Sequence, residues 1–80
     1  MHCSPLTLCD LKPGERGMIV AVEGSDTVTA RLLEMGLLPG ELILQIGTAP
    51  MGDPIEFSVY GYRISLRRGE AARVHIEKQP

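Results

Sequence analysis

Apolar and polar positions change their period several times along the chain, and each change marks an element. From Gly17 to Val22 the β-branched Ile19, Val20 and Val22 predict a strand, because such side chains fit a pleated surface. Gly24 ends it. From Asp26 to Met35 the period lengthens: Val28, Leu32 and Met35 recur at helical spacing with Leu33 beside them, while Arg31 and Glu34 fall on a wetter face. Ser25 or Asp26 can cap this helix by accepting a backbone N–H. Gly36 suits the left-handed position just past its end, where Leu37 could pack back onto Leu32, and Pro39 forbids continuation.

Beyond the turn Leu38-Pro39-Gly40-Glu41 the period drops to two. Leu42, Leu44 and Ile46 share one face of a strand and Ile43, Gln45 and Gly47 the other. The Pro- and Gly-rich run from Ala49 to Pro54 reads as a loop. Ile55, Phe57 and Val59 alternate with polar residues, as do Tyr62, Ile64 and Leu66, so Tyr60-Gly61 between them predicts a hairpin pairing Val59 with Tyr62. Gly69 to Ala72 allows a short helical turn. Val74 and Ile76 then face inward from a last strand. A second Pro-Gly turn, Lys12-Pro13-Gly14-Glu15, precedes the first strand.

These elements predict a mainly β fold: a small, partly closed barrel of about five strands, with one α-helix after the first strand plugging an open end. A flat sheet of this size would leave two raw edges and a bare apolar face. The chain reads as a single domain over residues 1–80, with a flexible tail at 1–5 and a short one at 78–80.

Composition narrows the picture. Eighty residues hold one small core, and with no Trp and few aromatics that core must be aliphatic. A formal net charge of −2 argues against a generic nucleic-acid binder or a polybasic membrane clamp. The longest uncharged stretch, Leu42 to Gly52, is far too short to span a bilayer, and no secretory signal is expected. A reducing, cytoplasmic setting with free thiols follows.

Candidate chemistry is sparse. No Ser-His-Asp or Cys-His pair has supporting context, and carboxylates such as Glu34, Asp53 and Glu56 are the kind any small domain offers, so catalysis is not expected. His2, Cys3, Cys9 and His75 are the soft or borderline ligands apart from methionine. They could hold Fe2+ or Zn2+ only if three or four met at one point or two chains shared a site as a metal-bridged homodimer. The plainer reading is a frayed N-terminus with incidental thiols. Arg63 and Arg67 share a strand face, with Arg68 and Arg73 nearby; the four could form a patch for carboxylates or phosphates. Leu37, Leu38, Pro39 and Met51 lie in turns and loops, where an apolar side chain without a core role points to an interface.

The run Arg31-Leu32-Leu33-Glu34-Met35-Gly36-Leu37-Leu38-Pro39-Gly40 resembles the signature of the ferrous iron transport protein A (FeoA) family. Leu8-x-x-Leu11-Lys12-Pro13-Gly14, Ala49 to Pro54, and Gly61 to Arg68 with Glu70-Ala71 fit it in order. The resemblance implies an SH3-like barrel, cytosolic and without a catalytic centre, that docks to the ferrous iron permease FeoB and its cytoplasmic GTP-binding domain. A similar barrel occurs in metal-dependent repressors. On this resemblance Leu37, Leu38, Pro39 and Met51 belong at a partner surface, joined by Arg63 and Arg67. The alternative is a transition-metal-binding module.

Overall fold

Glycine and proline punctuation divides the chain into strands short enough to curl. The computed structural model describes residues 6–79. In chain order these form β1 (Leu6–Thr7), a 3-10 turn (Leu8–Asp10), β2 (Arg16–Val22), α1 (Thr27–Glu34) and β3 (Leu42–Thr48). There follow β4 (Ile55–Val59), β5 (Tyr62–Leu66), α2 (Arg68–Ala71) and β6 (Val74–Gln79). All strands join one antiparallel sheet in the order β1-β6-β2-β3-β4-β5. The expected five strands become six because two residues, Leu6 and Thr7, pair with Ile76 and His75. So short a strand has no period to read.

The sheet curls without closing, and bulges help it do so. Ile19 faces Ile76 and Ala21 faces His75, which leaves Val20 as the extra residue of β2. Likewise Gln45 faces Phe57 and Gly47 faces Glu56, which leaves Ile46 extra in β3. An inserted residue bends its strand and increases the local twist. The enclosed core is aliphatic apart from Phe57, with Leu8, Ile19, Leu32, Leu37, Ile43, Ile55, Leu66 and Val74 almost wholly buried.

Both Pro-Gly turns form as expected. Glu15 N–H donates to the Lys12 carbonyl at 2.9 Å and Glu41 N–H to the Leu38 carbonyl at 3.1 Å. The hairpin pairs Val59 with Tyr62. Tyr60 and Gly61 both take positive φ, 54° and 81°, as a two-residue turn matched to strand twist requires.

β3 departs from what hydrophobicity alone suggests. Its inward residues are Ile43 and Gln45, while Leu42, Leu44 and Ile46 look outward with partial or full exposure. Gln45 turns inward because its amide is used there: Nε2 donates to the Leu11 carbonyl at 2.8 Å. Its backbone accepts from Gly14 N–H at 2.8 Å and donates to the Glu15 carbonyl at 3.0 Å. One glutamine thus ties the 8–15 segment to the barrel.

Candidate functional site

The end of α1 decides which apolar side chains reach solvent. Asp26 caps the helix, its Oδ1 accepting from Thr29 N–H at 3.1 Å. The far end closes in a Schellman motif: Gly36 N–H donates to the Leu33 carbonyl at 3.0 Å and Leu37 N–H to the Leu32 carbonyl at 3.3 Å. Gly36 sits at φ 98°, a conformation that carries no penalty without a Cβ. This reversal sends Leu37 into the core and leaves the next residue, Leu38, 44% exposed. The expectation that Leu37 belongs to a partner surface is therefore corrected: it is wholly buried and its role is packing.

The turn Leu38–Glu41 is pinned to β2. Gly40 N–H donates to the Ile19 carbonyl at 2.7 Å, and Ile19 N–H to the Glu41 carbonyl at 2.8 Å. Val20, extruded by the β2 bulge, is exposed beside that turn. Leu42 opens β3 opposite Met18 and is 52% exposed. Tyr60 is 63% exposed, and its ring covers Gly36 closely enough that a Cβ there would lie 3.8 Å from Cε2. A hydrogen bond with the Glu41 side chain raises the Tyr60 pKa above its ordinary value. One corner of the molecule thus presents Leu38, Val20, Leu42 and Tyr60, with Pro39 exposed in the turn.

Met51 is at a different place. It tops the Ala49–Pro54 loop, 92% exposed. That loop joins the far ends of β3 and β4, so roughly 20 Å of strand separates it from Leu42. Arg68 secures the loop's shape: its N–H donates to Asp53 Oδ1 at 3.0 Å and its Nε to the Gly52 carbonyl at 2.8 Å.

That use of Arg68 breaks up the expected four-arginine patch. Arg73 is also committed, pairing with Asp26 Oδ1 at 2.7 Å. The guanidinium is the largest influence holding the Asp26 carboxyl down, at about 2, and the Thr29 backbone N–H adds to it. Arg31, at the end of α1, pairs with Glu70. Arg63 and Arg67, by contrast, are exposed on β5 and at the start of α2, and neither guanidinium bonds another described residue.

The expected metal ligands do not converge within the described residues. His2 and Cys3 lie outside them. Cys9 Sγ faces the Arg68 carbonyl at 3.4 Å, and His75 Nε2 lies 3.4 Å from Glu23 Oε1. Among the described residues no three His, Cys, Asp or Glu side chains are grouped to hold a metal ion.

Leu42, Val20 and Tyr60 join the exposed corner without having been singled out in the sequence. The outward row of β3 was visible as Leu42, Leu44 and Ile46, but a chain with one apolar row assigns it to the core by default. Only the inward use of Gln45 reverses that assignment. The bulge at Val20 leaves no trace in the period.

Comparison with known proteins gives this geometry a family. A model of the FeoA domain matches residues 6–78. The chain is 38% identical over 72 residues to an Fe(2+) transport protein A/Fe(2+) transporter FeoB fusion protein of Porphyromonas gingivalis. The match takes in 90% of this chain but only 8% of that much longer protein. A crystal structure of an iron uptake regulatory protein, FeoA, is 36% identical with a TM-score of 0.84 and covers 95% of this chain and 100% of its own. The zinc complex of Stenotrophomonas maltophilia FeoA, a prokaryotic SH3 domain protein, is 29% identical with a TM-score of 0.80 and covers 90% of this chain and 89% of its own. With six short antiparallel strands among its described residues curled into an SH3-like barrel, the chain belongs to the FeoA domain family.

Proposed function

We propose that the protein is a cytoplasmic, non-enzymatic accessory of ferrous iron uptake that docks to the GTP-binding part of an FeoB-type permease and regulates it. The observation that carries this reading is the relative in which a domain 38% identical to this chain is fused to FeoB. Fusion keeps two partners at high effective concentration, which is useful where the separate chains must associate. No described helix is long and apolar enough to cross a membrane, so membrane proximity would come through the partner.

The contact would centre on Leu38 and Pro39, flanked by Leu42 and Tyr60. Clustered apolar side chains around an exposed aromatic are what a well-packed interface desolvates. Met51 would make a separate contact from its own loop, and Arg63 and Arg67 the basic part. A pull-down with the permease's GTP-binding domain tests this, comparing the native chain with Leu38→Arg and Met51→Asp after thermal melts show all three folded. Retention should fall at least tenfold for Leu38→Arg and less for Met51→Asp. Equal retention by all three would refute the surface.

The metal-binding alternative is favoured by one observation, the zinc complex of the Stenotrophomonas relative. Here it would need His2 and Cys3 to join Cys9 or His75, or two chains to share Fe2+ or Zn2+ across a homodimer. Zinc titration of the Cys3→Ser, Cys9→Ser double variant decides it: unchanged affinity clears the thiols.

A further inference from the structure

We infer that the outer edge of β5 is a recognition strand, which takes up an extended segment of a partner protein in which acidic and aliphatic residues alternate. The inference deepens the docking reading, on which it rests, by giving Arg63 and Arg67 a mode of binding. β5 ends the sheet: it pairs with β4 on one side, and no described strand pairs with the other. A two-residue hairpin is closed by a hydrogen-bonded pair, and bonded and unbonded pairs then alternate along the ladder. Val59 and Tyr62 are the closing pair here. Tyr62, Ile64 and Leu66 therefore turn their N–H and C=O toward β4. Arg63 and Ser65 turn theirs away, and no other described backbone group bonds them.

Side chains give that edge two rows. Arg63, Ser65 and Arg67 lie on the outer face, all exposed, and Tyr62 and Ile64 on the inner one. Neighbouring guanidiniums are spent: Arg68 holds the Gly52 loop and Arg73 holds Asp26. Those of Arg63 and Arg67 bond nothing within the described chain. A segment laid along β5 would take backbone bonds from Arg63 and Ser65 and alternate its own side chains between the rows. Carboxylates suit the row beside Arg63 and Arg67, where charge-assisted bonds can form. Aliphatic side chains suit the row beside Ile64 and the exposed ring of Tyr62. A second copy of β5 suits poorly, because it would bring two sets of unpaired arginines together. Exposed edge charge of this kind discourages self-pairing while leaving the edge open to a strand of opposite charge.

The test uses a short, end-blocked peptide alternating Glu and Val, a Lys-Val counterpart, and the Glu-Val peptide N-methylated throughout. Amide exchange is followed in the full chain by NMR at low salt. The Glu-Val peptide should slow exchange at Arg63 and Ser65 while leaving Tyr62 and Ile64, already bonded to β4, unchanged. Binding should weaken at least tenfold for Arg63→Glu, Arg67→Glu and be absent for the N-methylated peptide. Unchanged exchange at Arg63 and Ser65, equal binding of the Lys-Val peptide, or binding of the N-methylated one would overturn the inference. Leu38→Arg should still bind the Glu-Val peptide. If the peptide fails while the native chain retains the permease domain, strand addition is wrong and the docking reading stands.

Discussion

Leu37 and Leu38 are identical side chains on consecutive residues, one wholly buried and the other 44% exposed. The first belongs to a core region with Leu32, Ile19 and Ile43; the second belongs to a corner with Val20, Leu42 and Tyr60. Both regions are apolar, so hydropathy cannot tell them apart. What separates them is backbone geometry: the reversal at Gly36 and the turn pinned to Ile19. The core region is apolar because burial stabilises the fold. The corner stays apolar although Val20, Leu38 and Leu42 are about half exposed and Tyr60 more so, and the proposed docking rests on that exposed apolar cluster.

The comparison is broken most directly by placing the same charge at both positions. Leu37→Arg buries a guanidinium with no partner and should cost more than about 4 kcal/mol, enough to unfold a small domain. Leu38→Arg should change stability by less than about 0.5 kcal/mol in urea unfolding. Comparable losses in both variants would mean that the corner is part of the core after all.

A smaller effect sharpens the comparison on β3. Gln45 is the polar member of the buried row, opposite an outward row of Leu42, Leu44 and Ile46. Gln45→Ala should cost about 1–3 kcal/mol, because it strands the buried Leu11 carbonyl and releases the 8–15 segment. Leu42→Ser on the outward row should cost little. Faster amide exchange at Gly14 in the Gln45 variant would identify the latch as the cause.

These two rows also mark how far the sequence could be read. α1 was fully legible, since Asp26, the stripe through Leu32 and Gly36 are local signals that agree with one another. The hairpin at Tyr60-Gly61 and both Pro-Gly turns were legible for the same reason. Which way β3 faces was not, because it depends on the Leu11 carbonyl 34 residues away. Nor were the bulges at Val20 and Ile46, set by registers with β6 and β4. Of the candidate site, Leu38 and Pro39 could be found as exposed turn residues, but Leu42 belongs to the outward row of β3 and Tyr60 to the turn between β4 and β5. Arg63 and Arg67 could not be told from Arg68 and Arg73 until the partners of the latter two were known.

The smallest expected effect runs in the opposite direction. Tyr60 is the only described non-glycine residue with positive φ, and its bulky ring lies 63% exposed. The left-handed region suits Asn or Gly at the first position of such a turn and disfavours an aromatic. Tyr60→Asn should therefore raise the thermal midpoint by roughly 2–5 °C. It also removes the ring that lies over Gly36 and bonds Glu41, so retention of the permease domain should fall. Gain in one assay with loss in the other would show that strain is kept at Tyr60 for recognition. A variant more stable and equally well retained would leave the aromatic without a role at the corner, whose part in docking would then rest on Leu38, Pro39 and Leu42.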